Sequence, residues 1–116
     1  MAKFVQAYES GNVDALVALL TDDVYLSMPP VPLEYRGRAV VARFYASLMR
    51  GWRYDLVPTR ANGQVAFGAY VHTESSAIRH GTGLLVLTLS GERICAVTRF
   101  DSNVLPWFGL PRSLPD

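Results

Sequence analysis

Residue types that carry specific chemistry are scarce in this sequence, whose 116 residues include one cysteine and two histidines. A single cysteine excludes an internal disulfide and any cysteine-cluster metal site. We predict that Cys95 is a small buried residue of a strand rather than a nucleophile. The histidines, His72 and His80, lie on separate predicted strands without nearby carboxylates, which makes a weak metal site. We therefore expect no metal and no cofactor.

Long apolar runs and clusters of one charge are also missing. No segment approaches the ~18 apolar residues of a membrane span, and residues 1–9 hold too short an apolar stretch for a signal peptide. The formal net charge is +1, Lys3 is the only lysine, and the arginines are spread from Arg36 to Arg112. We expect a cytoplasmic protein that binds neither membranes nor nucleic acid directly. With a hydrophobic fraction of 50%, residues 1–116 should form one domain.

The common catalytic signatures are absent as well. The sequence contains no Gly-rich phosphate loop, no His-Glu-x-x-His helix, no Gly-x-Ser-x-Gly elbow and no Rossmann fingerprint. Motifs of this kind therefore identify no reaction.

The second half of the chain has the pattern of successive strands. Asn62-Gly63 and Ser90-Gly91 predict tight hairpin turns, because these residues tolerate the positive φ that such turns require. Gly81 and Gly83 predict a bulge or bend that would curl the sheet. A polar connection is expected over residues 73–76. The predicted strands are Arg53–Arg60, Val65–Val71, Ile78–Leu89 and Arg93–Phe100.

The first half is predicted to be mainly helical. The first helix has no capping residue, which is as typical of a domain cut from a longer polypeptide as of a natural start. Asn12 is expected to cap a second helix whose buried stripe extends to Leu20, and Gly37 to open a third. Between them we predict a short strand that ends at Pro29-Pro30 and an irregular crossing over residues 29–35.

These elements predict an α+β fold in which helices lie across one face of a curved antiparallel sheet and leave a cavity between the layers. The last segment, Val104–Pro115, is expected to be an irregular tail whose aromatic residues dock on the domain. The alternative is an exposed patch that binds a partner.

A cavity in a curved sheet suits carboxylate acid–base chemistry, since apolar walls raise the pKa of a carboxyl group. Asp55 and Asp101 are the weak candidates, and strand alternation favours a solvated position for both. Tyrosine hydroxyls could donate to an oxyanion in such a cavity, although tyrosines are also common in cores. The tyrosines considered are Tyr8, Tyr35, Tyr45, Tyr54 and Tyr70.

Five short motifs in this chain resemble one family. They are Met28-Pro29-Pro30, Tyr35-Arg36-Gly37-Arg38, residues 57–64, residues 86–89 and Phe108-Gly109-Leu110-Pro111. The chain is similar over nearly its whole length to the nuclear transport factor 2-like cone in its SnoaL-like branch. More specifically, it resembles the C-terminal SnoaL-like domain of extracytoplasmic-function RNA polymerase sigma factors.

This resemblance implies a regulatory module that senses a small molecule and follows promoter-binding regions in a longer factor. Its partners would be those regions, RNA polymerase through them, and an apolar small molecule. The chain itself has no helix-turn-helix pattern, so it should not bind promoter DNA. The alternatives are a stand-alone isomerase, cyclase or epoxide hydrolase that uses a pocket carboxylate, and a module that forms homodimers.

The resemblance also implies residues for the cavity wall, although the same side chains could simply fill the core. The predicted wall residues are Met28, Tyr35, Phe44, Trp52, Phe67 and Tyr70, with Asn62, Gln64 and His80 as polar contacts.

Overall fold

The computed structural model describes residues 1–73 and 76–115. Within these ranges, three α-helices span Ala2–Ser10 (α1), Val13–Val17 (α2) and Arg38–Leu48 (α3), and a 3-10 helix spans Ser102–Phe108. The strands are Leu20–Met28 (β1), Val31–Arg36 (β2), Arg53–Ala61 (β3), Gln64–Thr73 (β4), Ser76–Ser90 (β5), Arg93–Asp101 (β6) and Ser113–Leu114 (β7).

The strands form a single mixed sheet in the order β2-β1-β6-β5-β4-β3, and β7 pairs with β5. The run from β3 to β6 is antiparallel and sequential, as predicted. β1 joins it as a parallel neighbour of β6. At the first predicted turn, Asn62 and Gly63 have φ of 53° and 77°, so both residues adopt the backbone conformation for which they were singled out.

The predicted irregularity near Gly81 and Gly83 is present as a β-bulge. Ala69 pairs with Gly83 and Tyr70 pairs with Gly81, so Thr82 is left without a partner in the ladder. Its hydroxyl donates to the Ala69 carbonyl at 3.2 Å. The predicted polar connection over residues 73–76 lies partly outside the described residues.

The prediction of an irregular crossing over residues 29–35 is wrong. Val31–Arg36 forms β2, which pairs antiparallel with β1. Pro32 is tolerated because β2 is the edge strand and its register with β1 shifts between Ser27 and Met28.

The second helix is shorter than predicted. Asn12 caps it as expected, since its side chain accepts a hydrogen bond from Ala15 N. The helix ends at Val17, however, and Leu20 already belongs to β1. The Leu19 carbonyl accepts a hydrogen bond from Ile94 N at 2.8 Å. Residues that the helical pattern assigned to α2 therefore pair with β6 instead.

Alternation along the strands divides the apolar side chains between two clusters. Leu85 and Leu87 point to the face covered by α1 and α3, here called the inner face. Leu84 and Val86 point to the opposite, outer face. Tyr8, Leu16 and other large side chains complete the inner core with almost no exposure.

The C-terminal segment covers the outer face rather than remaining irregular. Leu105 of the 3-10 helix and Leu110 after it are buried in the outer cluster, while Trp107 is 85% exposed. The predicted docking of the aromatic residues is therefore correct for Phe108, which packs against the outer cluster, and wrong for Trp107. The C-terminal segment lies so close to the sheet that position 81 requires glycine. A Cβ at Gly81 would lie 2.5 Å from Leu105 Cδ1 and 2.8 Å from the Arg112 carbonyl oxygen.

In the part of the chain that the structure describes, no helix is long and apolar enough to cross a membrane.

Candidate functional site

A cavity of about 530 Å³ opens where α3 faces the ends of β1 and β6. Phe44 and Leu48 lie one turn apart on α3 and supply an apolar wall. The bulge directs Thr82 into the lining, and β6 adds Arg99 next to its C-terminal end. The remaining lining residues are Met28, Pro29, Pro30, Val31, Phe100 and Asp101.

Arg99 is the cationic group of this cavity. Alternation along β6 places it on the inner face with the fully buried Val97. Its Nη1 atom is buried and has no hydrogen-bond partner. Among the described residues, no carboxylate lies within ion-pair distance of its guanidinium. A partly buried arginine is thus left with unused donor capacity at the edge of an apolar cavity.

Three tyrosines outside the cavity lining form a cluster on the inner face. The Tyr8 ring lies with its centroid 6.0 Å from that of Tyr45 and 5.6 Å from that of Tyr54, both in edge-on geometry. The hydroxyls of Tyr8 and Tyr45 are buried without a partner. The Tyr54 hydroxyl donates to the Leu48 carbonyl at 3.2 Å.

Burial keeps these hydroxyls protonated. Desolvation raises the pKa of Tyr8 to about 12 and also raises the pKa of Tyr45 and Tyr54. The positive charge of Arg99 opposes this rise in pKa at all three residues. At neutral pH the cavity therefore presents one cation, Arg99, while the neutral tyrosines lie outside its lining; a cation in this position suits a ligand that carries acceptor oxygens.

Asp101 lies in the lining of the same cavity but is engaged in capping. Its side chain is exposed, and Oδ1 accepts hydrogen bonds from Asn103 N and the Ser102 hydroxyl, both at 3.2 Å. These bonds hold the start of the 3-10 helix. The carboxylate could exchange a proton with a bound molecule only at the outer rim.

Asp55 lies on the outer face, away from this cavity. Its Oδ2 atom accepts a hydrogen bond from Arg79 Nη1 at 2.6 Å and lies 2.8 Å from His72 Nε2. Arg79 also donates to the Pro115 carbonyl at 2.8 Å. Desolvation raises the pKa of Asp55, but the hydrogen bonds from Arg79 and His72 outweigh it, so the net shift is downward. This cluster ties the sheet to the C-terminal segment.

The two histidines lie on neighbouring strands, with His80 paired to Val71 in the ladder. Asp55 is the carboxylate beside His72 that the sequence did not reveal. Within residues 1–73 and 76–115, no group of three or more histidine, cysteine, aspartate or glutamate side chains is arranged to hold a metal ion. Cys95 is only half-buried, which differs from the buried position predicted for it.

The predicted wall residues are divided between different parts of the fold. Met28 and Phe44 line the cavity, and the Tyr35 ring lies 5.0 Å from that of Phe44. Phe67 instead lines a second cavity, of about 790 Å³, between α1 and the β3–β4 hairpin. Trp52 precedes β3 and is half exposed.

The predicted polar contacts and Tyr70 lie farther away. Asn62 is the exposed turn residue of the β3–β4 hairpin, and the Gln64 amide donates to the Leu87 carbonyl at 3.2 Å. His80 is exposed on β5 and pairs with β7. Tyr70 belongs to the outer cluster, where its hydroxyl donates to the Pro111 carbonyl at 2.6 Å.

The tyrosines of the cluster were candidates in the sequence, whereas Arg99 was not predicted. The available signal was its position two residues after Val97 in a strand, where an apolar residue would be expected if that face were buried. A lone arginine on an inward-facing register is the pattern that could have identified it.

Three comparisons place these features among known proteins. A family model described as a SnoaL-like domain matches residues 1–102. The "ECF RNA polymerase sigma factor SigG" of Mycobacterium tuberculosis, in strains CDC 1551 and H37Rv, is 31% identical over 98% of this chain. The chain spans about a third, 31%, of the length of those curated relatives.

Two solved structures share the architecture. One is a putative ketosteroid isomerase from Kribbella flavida DSM 17836, with a TM-score of 0.65 and 21% identity over 86% of this chain and 73% of that chain. The other is a de novo designed protein with a curved β-sheet, with a TM-score of 0.70 and 15% identity over 86% of this chain and 80% of that chain. At these identities the likeness concerns the fold alone.

Proposed function

This chain belongs to the SnoaL-like domain family, and from that premise we propose that it is the regulatory, small-molecule-sensing domain of an extracytoplasmic-function sigma factor. The family match covers residues 1–102, and the predicted α+β fold of the nuclear transport factor 2-like class is confirmed. We infer the sensing role from the cavity beside α3.

The observation that carries this proposal is the similarity to sigma factor SigG over 98% of the chain, at 31% identity. Because the chain corresponds to only about a third of that protein, the partners proposed for it lie in the rest of such a factor. These are the promoter-binding regions of the same polypeptide, and RNA polymerase through them. The setting that follows from this role is the cytoplasm.

The cavity supports the sensing part of the proposal. Apolar side chains from α3 and β1 form its wall, and a few polar groups converge at one side, which is typical of small-molecule sites. The formal net charge of +1 and the dispersed arginines favour action on the neighbouring regions rather than on promoter DNA.

A promoter-reporter assay tests the regulatory role. Promoter output is compared between a full-length factor that carries this domain and the same factor with the domain deleted, across growth conditions. We expect the deletion to change output in at least one condition. Identical output from the two forms under all conditions would remove the proposal.

A pair of variants in the full-length factor tests the sensing part. Leu48→Trp places an indole into the cavity lining, whereas Ala46→Trp adds the same group at an exposed position of α3. In the condition where deletion of the domain changes promoter output, we expect Leu48→Trp to abolish the domain's effect on output and Ala46→Trp to retain it. If the response survives both substitutions, the domain regulates without binding a ligand in this cavity, and the sensing part of the proposal is wrong.

The second candidate is an enzyme of the same fold, which is favoured by one observation: Asp101 lies in the cavity lining. In that case Asp101 would exchange protons with an apolar substrate, and Asp101→Asn would abolish turnover. Undiminished turnover by Asp101→Asn on any substrate found would exclude this assignment.

Homodimer formation stays a prediction, which mass measurement at several protein concentrations would decide.

A further inference from the structure

We propose that the ligand of this cavity is an amphipathic monocarboxylate, with its carboxylate held by Arg99 and its apolar body against α3. This inference rests on the proposed sensing function and specifies the chemistry of the ligand.

The polar side of the cavity has unsatisfied donor capacity. Arg99 Nη1 and the hydroxyls of Tyr8 and Tyr45 are all buried without a partner. Tyr8 is 1% exposed and Tyr45 is fully buried. Of these three residues, only Arg99 lines the cavity. Unpaired buried polar groups are costly, so the guanidinium of Arg99 indicates a place where an acceptor oxygen is supplied from outside the chain.

The charge of the site selects among anions. Arg99 supplies one positive charge, and no carboxylate of the described residues neutralises it by an ion pair. A monoanion balances that charge, whereas a dianion such as a phosphate monoester would bring a surplus negative charge beside Asp101, which lines the same cavity. The planar guanidinium also matches a carboxylate in bidentate geometry.

The walls select the rest of the ligand. Phe44, Leu48 and Met28 offer a mainly apolar surface in a space of about 530 Å³, which accommodates a bicyclic or branched hydrocarbon body. Asp101 at the exposed rim repels a carboxylate, so the charged end is expected at Arg99 and the apolar end along α3.

A matched pair of probes tests this assignment by isothermal titration calorimetry on the 116-residue chain. 2-Naphthoate and 2-naphthamide have nearly the same shape and differ in charge. We expect the wild-type chain to bind 2-naphthoate more tightly by about tenfold or more, because charge-assisted hydrogen bonds exceed neutral ones. In Arg99→Gln the preference should fall to about twofold or less, whereas Arg93→Gln, exposed on the same strand, should retain it.

The wild-type comparison needs no variant, so the test does not depend on the folding of Arg99→Gln. Equal affinity for the two probes, binding of neither, or a preference that survives in folded Arg99→Gln would each overturn the inference. None of these results affects the comparison of full-length and domain-deleted factor. A failed carboxylate assignment is thus distinguishable from a failed regulatory role.

Discussion

The unpartnered hydroxyl of Tyr45 leads to a prediction that runs against the usual effect of core mutations. Tyr45 is fully buried, and its hydroxyl has no hydrogen-bond partner. Tyr45→Phe keeps the ring and its edge-on contacts with Tyr8 and Phe44 while removing only the oxygen. Because an unsatisfied buried polar group costs about 1–3 kcal/mol, the variant should raise the free energy of unfolding by about 1 kcal/mol or more. For a chain of this size that corresponds to a Tm increase of roughly 4 °C.

Tyr54→Phe is the matched control, since its ring belongs to the same cluster. The Tyr54 hydroxyl donates to the Leu48 carbonyl at 3.2 Å, so its removal takes away a hydrogen bond. We expect this variant to lose about 1 kcal/mol. The same atom is deleted in both variants, yet the two changes in stability should have opposite signs.

Urea unfolding followed by circular dichroism at pH 7, without added ligand, measures both variants. If Tyr45→Phe were destabilised as much as Tyr54→Phe, the Tyr45 hydroxyl would be partnered in solution and the argument for unused donors would fail. An unchanged m-value is required for the comparison, because a changed m-value would indicate an altered denatured or native state.

Tyr8 adds a pH signature to the same reasoning. Burial raises its pKa to about 12, whereas the unfolded chain ionises near 10. The folded state then binds the Tyr8 proton more tightly than the unfolded state does. The free energy of unfolding is therefore independent of Tyr8 ionisation below pH 10 and decreases as pH rises from 10 towards 12. Tyr8→Phe should reduce that alkaline loss.

Two further predictions concern the outer face. The pKa of Asp55 is lowered because hydrogen bonds from Arg79 and His72 outweigh desolvation. The ionised carboxylate therefore adds to the free energy of unfolding above the pKa of the unfolded chain, and this stabilisation is lost as pH falls through the pKa of the folded state. Asp55→Asn should cost about 1 kcal/mol at pH 7, and the difference from wild type should disappear in acid, as measured by urea unfolding across pH. Gly81→Ala would force a Cβ to within 2.8 Å of the Arg112 carbonyl oxygen, and we expect a loss of about 1–3 kcal/mol and faster tryptic cleavage after Arg112.

Each of these predictions has a control on the chain. Asp22→Asn removes a carboxylate that is 89% exposed and paired with Arg38, so it should have a much smaller effect than Asp55→Asn. Equal effects would mean that the Asp55 cluster adds nothing specific. Ser90→Ala changes an exposed position of the same strand as Gly81 and should leave cleavage unchanged. Wild-type cleavage rates in Gly81→Ala would contradict the close packing of the C-terminal segment.

The sequence predicted the parts of the fold that depend on local chemistry. The β3–β4 hairpin follows from Asn62-Gly63, and the bulge that places Thr82 in the cavity follows from Gly81 and Gly83. β2 could not be predicted in the same way, because Val31–Arg36 contains a proline and is a strand only through its pairing with β1. The short α2 has a similar cause, since distant pairing with β6 determines where it ends.

The candidate site was predictable only in part for a related reason. Met28 and Phe44 were expected at the cavity because of the resemblance to the family, and they line it. Arg99 was missed because a period of two assigns residues to the same face without saying which face is buried. Only the packing of α1 and α3 distinguishes the inner face from the outer one.

The parallel pairing of β1 with β6 has a consequence for the order of events during synthesis. β1 can pair early with β2, but Leu20 is matched with Ile94, so β1 gains its second sheet neighbour only after almost the whole chain has been synthesised. Until then, the apolar sides of the N-terminal helices and of β1 lack much of their final covering. Contacts between such distant residues slow folding and lengthen the exposure of apolar surface. Translation arrested before residue 94 should therefore leave a nascent chain that binds chaperones, whereas the β3–β4 hairpin, whose contacts are local, can already form.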